Sequence, residues 1–150
     1  MDIEDKIPFP QADDFEKIVR IVNIDDESRL IDKDSMSRYL DDISPRQVQY
    51  YLSACMYLNI IDEKKKFTEE GMFLREQNNA NQIIELIRLI LSIRIFGMVY
   101  FSEKYLGVKF TREDIKNLMR EHTKIDNDAV IHRRAQTVLK WIEWVNSIIL

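Results

Sequence analysis

Only three glycines and three prolines interrupt 150 residues, and that scarcity constrains the fold more than any other feature. Glycine and proline are the residues that turn and stop a backbone, so a chain with so few must place most of its length in helices. Hydrophobic residues make up 45% and charged residues 32%. That is apolar enough for a real core and excludes disordered, collagen-like and low-complexity classes. One cysteine, Cys55, and two histidines, His122 and His132, cannot assemble a disulfide framework or a structural zinc site. A reducing, cytoplasmic setting is expected, with no metal and no cofactor. The opening MDIEDKIPFP is acidic where a signal peptide is basic. The most apolar stretch, residues 83–101, carries Glu85, Arg88 and Arg94, so it reads as a long central core helix and not as a membrane span.

Net charge is −4, but it is unevenly spread: residues 1–44 hold 13 acidic and 6 basic side chains, and the remainder is net +3. An acidic total weakens a nucleic-acid reading without excluding it, because affinity follows the local patch that faces phosphate.

Along the chain, residues 1–12 read as an extended lead-in, with Pro8 and Pro10 blocking helix. Asp13-Asp14-Phe15-Glu16 opens a first helix with Phe15, Ile18, Val19 and Val22 at helical spacing. A short helix follows, with Met36, Tyr39 and Leu40 inward. Ser44-Pro45-Arg46-Gln47 is the sharpest local signal: serine as cap, proline at the first helical position, glutamine closing the box. After that third helix, residues 60–63 and 66–68 predict two short strands around a lysine turn. Thr68-Glu69-Glu70-Gly71 then caps the next helix. This order predicts a winged helix-turn-helix, three helices plus a short β-hairpin wing, with the third helix offered to the DNA major groove.

Ser44-Pro45-Arg46-Gln47-Val48-Gln49-Tyr50-Tyr51-Leu52, then Tyr57-Leu58-Asn59-Ile60-Ile61, then Phe67-Thr68-Glu69-Glu70-Gly71 resembles the winged-helix pattern of recognition helix, "YLGLI" exit and "LTxxG" return, with Asn59 where glycine is usual. Lys64, Lys65 and Lys66 fall at the wing. A shift of 87 residues sets Arg46, Gln49, Leu52, Asn59 and Ile61 on Arg133, Gln136, Leu139, Asn146 and Ile148, and a shift of 79 sets Asp32, Met36, Tyr39 and Leu40 on Thr111, Ile115, Leu118 and Met119. The repeat predicts a second, wing-poor helix-turn-helix-like unit around the long central helix. The expected divisions are a lead at 1–12, a winged helix-turn-helix at 13–77 and the second unit at 78–150. The tail from His132 to Trp144 resembles the "RRAxTVxxWxxW" ending of winged-helix domains found beside bacterial and archaeal restriction-modification enzymes.

Stepping 100° per residue from Val48 turns Tyr51, Leu52, Cys55 and Leu58 inward and Arg46, Tyr50, Ser53 and Tyr57 outward, flanked by Gln47 and Gln49. Arginine reads guanine, glutamine reads adenine, and tyrosine and serine reach phosphate. In the second unit the outward face is Arg133, Thr137 and Lys140, beside Arg134 and Gln136. Lys64, Lys65 and Lys66 are expected on phosphate. Trp141 and Trp144 fall off the inner face; either the 83–101 helix covers them or they contact another chain, as in a homodimer. The two units are expected to read successive major-groove faces roughly 34–36 Å apart.

Catalytic readings fail on specific grounds. Glu63-Lys64-Lys65 lacks an upstream Pro-Asp partner, Gly71, Gly97 and Gly107 are too isolated for a phosphate loop, and Cys55 points inward. The sequence therefore predicts sequence-specific double-stranded DNA binding, as the recognition module of a restriction endonuclease or restriction-modification system whose nuclease domain or subunit lies elsewhere. The alternatives are a small transcriptional regulator and a winged-helix protein-interaction module.

Overall fold

Seven of the helix starts are fixed by a polar side chain standing just ahead of them. The computed structural model describes residues 11–124 and 127–149, so most of the expected lead, residues 1–10, lies outside the described residues. The elements are α1 (Phe15–Val22), a 3-10 turn (Glu27–Ile31), α2 (Lys33–Tyr39), α3 (Pro45–Tyr57), α4 (Glu69–Glu76), α5 (Asn79–Ser92), α6 (Arg94–Leu106), α7 (Arg112–His122) and α8 (Asp128–Ile148). Asp14, Asp32, Ser44, Thr68, Asn78, Thr111 and Asn127 each accept an amide of the turn they precede, satisfying donors that a helix start leaves unpaired. At α3 the box is reciprocal: Ser44 takes the Gln47 amide and the Gln47 side chain takes the Ser44 amide. The architecture is mainly helical, as the scarcity of breakers predicts.

Two expectations fail. The wing strands at 60–63 and 66–68 do not form; one antiparallel bridge joins Ile61 to Phe67, and the described residues contain no strand. The turn is too tight for a ladder. Asp62 accepts the Lys64 and Lys66 amides at 2.9 and 3.1 Å, and Lys65 takes a left-handed φ of 61°. The return is cut short by Thr68, whose hydroxyl donates to the Asn59 carbonyl at 2.6 Å and accepts the Gly71 amide at 3.0 Å. Gly71 is required there, since a Cβ would stand 2.1 Å from the Ile60 oxygen.

The long central helix is also two helices. Ile93 is extended (φ −81°, ψ 128°) between α5 and α6, and no side chain caps α6. A Cβ on Gly97 would meet the Leu91 oxygen at 2.7 Å, so glycine lets the start of α6 close against the end of α5.

Packing joins the two halves. α1 rests on α3, α4 and α8, while α6, α7 and α8 contact one another, and one hydrophobic core runs from Ala12 to Val145. Of the repeat-related positions, Met36 and Ile115, Leu40 and Met119, Val48 and Ala135, Tyr51 and Val138, and Cys55 and Ile142 are buried in both copies, whereas buried Leu52 and Ile61 correspond to half-buried Leu139 and exposed Ile148. Their caps, Asp32 and Thr111, also correspond. Among the described residues no helix is long and apolar enough to cross a membrane.

Candidate functional site

α1 touches both α3 and α8, and this shared support turns the first half of α3 toward the second and third turns of α8. Between them opens a cleft of about 540 Å³. From α3 it is lined by Arg46, Gln47, Tyr50 and Tyr51; from α8 by His132, Arg133 and Gln136; Arg112 enters from the start of α7. Gln11 and Asp13, just ahead of α1, complete the lining. Three guanidinium groups thus face one carboxylate, and the positive end of the α3 dipole adds to them.

Hydrogen bonds hold these groups in place. Arg46 donates Nε–H to the Tyr50 hydroxyl at 2.7 Å, with its guanidinium 5.6 Å from that ring's centre. Arg112 donates to the Gln136 side-chain oxygen and lies 3.3 Å from His132 Nε2. The Asp14 amide donates to the Tyr51 hydroxyl at 3.0 Å, fixing α3 to the segment that carries Asp13.

The sequence-predicted residues divide into groups. Arg46, Gln47, Tyr50, Arg133 and Gln136, drawn from both units, meet at this one cleft. Lining a single cleft, they cannot read two groove faces roughly 34–36 Å apart, so the pseudo-symmetric spacing does not hold. Gln49 and Ser53 are half-buried on α3 and bond to each other at 3.1 Å. Lys64 lies in a depression with Met56 and Asn59, near the opposite end of α3 from Arg46, roughly 20 Å along a 13-residue helix. Lys65 is half-buried and Lys66 exposed. Arg134 is half-buried, and Lys140 pairs with Glu143 at 3.7 Å, beside Trp144 and away from the cleft.

The outward assignments of Thr137 and Tyr57 are corrected, and of the two alternatives for the tryptophans the 83–101 run does cover Trp141, through Phe96. Thr137 is fully buried and its hydroxyl donates to Asp13 at 2.7 Å. Trp141 is fully buried: it stacks on Phe96, meets Phe15 edge-on and donates Nε1–H to the Ala12 carbonyl at 2.6 Å. Trp141 is therefore no exposed contact for another chain. Trp144, half-buried, lies against Phe15 and donates to Glu16 at 2.8 Å. The reason is common to them: α8 is enclosed by α7 on one side and α1 on another, so a reading with a single buried face misplaces its flanks. Tyr57 is likewise buried, where the chain doubles back and the Ile60 amide reaches the Cys55 carbonyl. Most of the tail thus encodes how α8 docks on α1, and His132, Arg133 and Gln136 are the tail residues that line the cleft.

Sequence reasoning missed Arg112, His132 and Asp13. Arg112 follows the Thr111 cap that the repeat does mark, but nothing local states that this end of α7 faces α8. Burial pushes the Cys55 thiol well above its ordinary pKa, which suits packing and opposes nucleophilic chemistry. Among the described residues no group of three or more His, Cys, Asp or Glu could hold a metal ion.

No curated protein and no solved structure matches the chain. A family model does match residues 17–150, nearly the whole length and all of the cleft except Gln11 and Asp13, and the chain accordingly belongs to the family described as domain of unknown function DUF7226.

Proposed function

We propose that the chain binds double-stranded DNA, as the recognition module of a restriction-modification system. The observation that carries this reading is the gathering of Arg46, Arg112 and Arg133 with Gln47 and Gln136 on one cleft. Arginine and glutamine are the side chains that pair two hydrogen bonds with guanine and adenine edges, and guanidinium also neutralises phosphate. The Lys64–Lys66 turn, a reduced wing in this reading, adds cations near the far end of α3, where they would follow the DNA backbone. The likeness of the His132–Trp144 tail to winged-helix domains beside restriction enzymes supports the restriction context. A transcriptional regulator would use the same surface. The protein-interaction reading has its own support in Phe101, Tyr105, Leu106 and Val108, exposed apolar residues around the end of α6.

Selection from a pool of random duplexes, with affinity followed against salt, tests the proposal. Binding should fall log-linearly with salt, and Lys64→Glu with Lys65→Glu should weaken all sequences alike. Arg46→Ala should relax preference at particular base pairs by roughly 1–3 kcal/mol. Absence of duplex binding at low salt would overturn the DNA reading and leave the protein-interaction one.

A further inference from the structure

We propose that the cleft between α3 and α8 is a site for one nucleotide unit, base and phosphate together. Its volume of about 540 Å³ lies within the range of small-ligand pockets, about 300–1,000 Å³. Its chemistry has two parts. Arg46, Arg112 and Arg133 outnumber the one carboxylate, Asp13, and match a phosphate group. Gln47 and Asp13 offer donor and acceptor atoms for the edge of a base, and Tyr50 offers a ring for stacking. A bare anion would use the arginines alone and leave the amide and the ring idle. The Arg46–Tyr50 hydrogen bond presents cation and ring as one piece, so a stacked base would hold its phosphate beside the guanidinium. Arg112 is similarly held on Gln136, so for these two arginines part of the ordering that binding requires is already in place.

Such a unit has two sources: a free mononucleotide, or a nucleotide extruded from a duplex, as enzymes that work on bases extrude theirs. The second source rests on the DNA-binding reading; the first does not. An unpaired nucleotide has already lost the pairing that extrusion must break, so a mismatch should favour binding wherever the cleft takes the displaced base.

Equilibrium binding to the full chain distinguishes these cases, using the four deoxynucleoside monophosphates, inorganic phosphate, and random-flank duplexes either fully matched or carrying one central mismatch. The expected result is about ten-fold tighter binding of the mismatched duplex, or binding of a mononucleotide well above inorganic phosphate. Either preference should disappear in Arg46→Ala with Arg133→Ala. Gln47→Glu is the second variant. Glutamate closes the same capping box, so α3 remains intact while a negative charge enters the cleft, and nucleotide binding should fall. In Lys64→Glu with Lys65→Glu the mismatch preference should persist.

Duplex binding with no mismatch preference and no mononucleotide binding overturns this inference and leaves the DNA reading standing. Mononucleotide binding without any duplex binding does the reverse. Phosphate competing as well as the mononucleotide reduces the cleft to an anion site and overturns the base half of the proposal. Preferences unchanged in both cleft variants overturn the assignment to this cleft.

Discussion

Trp141 is held from three directions, by the Phe96 ring of α6 and, from the start of the described chain, by the Phe15 ring edge and the Ala12 carbonyl. Truncating it removes a large buried ring and leaves that carbonyl without its donor. Trp141→Ala should therefore cost about 3–5 kcal/mol in urea or thermal unfolding. Trp144→Ala should cost clearly less, because that ring is half-exposed. A Trp141→Ala protein as stable as wild type would mean that α8 does not dock on α1 as described. At this scale the sequence is a good guide where a residue acts on its immediate neighbours. Ser44, Thr68 and Gly71 perform local tasks that their spacing announces. It is a poor guide for Thr137 and Trp141, whose partners, Asp13 and Ala12, lie 124 and 129 positions away. Helical angles alone cannot reveal how many sides of a helix are covered.

The starts of α3 and α4, and through the repeat those of α2 and α7, are legible in the sequence because a cap needs only three or four consecutive residues, whereas the starts of α5, α6 and α8 are not. The start of α3 is the clearest case, and it is also one edge of the cleft. Ser44→Ala should lower stability by about 1 kcal/mol, seen as a reduced denaturant midpoint with unchanged slope. Because Ser44 does not line the cleft, nucleotide or duplex affinity should stay near wild type under conditions where the variant is folded. The wing was overestimated for the opposite reason: a strand is defined by its ladder partner, and the Asp62-centred turn leaves room for one bridge. The division of the 83–101 run is not announced at Ile93, because Ser92-Ile93-Arg94 contains no glycine or proline; Gly97, four residues on, is the single local hint. Of the site, the α3 and α8 contributions could be read from the repeat. That they face one another across α1 could not, since no periodicity encodes the angle between helices.

For the molecule as a whole, α1 is the member that both halves share. A fragment ending near residue 78 retains α1 to α4 but bares Phe15 and the rest of the α1 face that α8 covers. It should show no cooperative thermal transition by circular dichroism, whereas the full chain should unfold in one step. Two separate transitions in the full chain would instead mark independent halves. The clasp between residues 12–16 and 137–144 carries a further consequence, for the order of events during synthesis. A ribosome delivers the first part of this clasp early and the second after more than a hundred further residues, and closing so long a loop is entropically slow. Until α8 emerges, α1 waits with an apolar side open, and the cleft has only one wall. Over the more than one hundred residues that separate the two parts of the clasp the nascent chain stays half-built, so chaperone demand and premature aggregation should concentrate there, and the cleft gains its second wall only when α8 closes on α1.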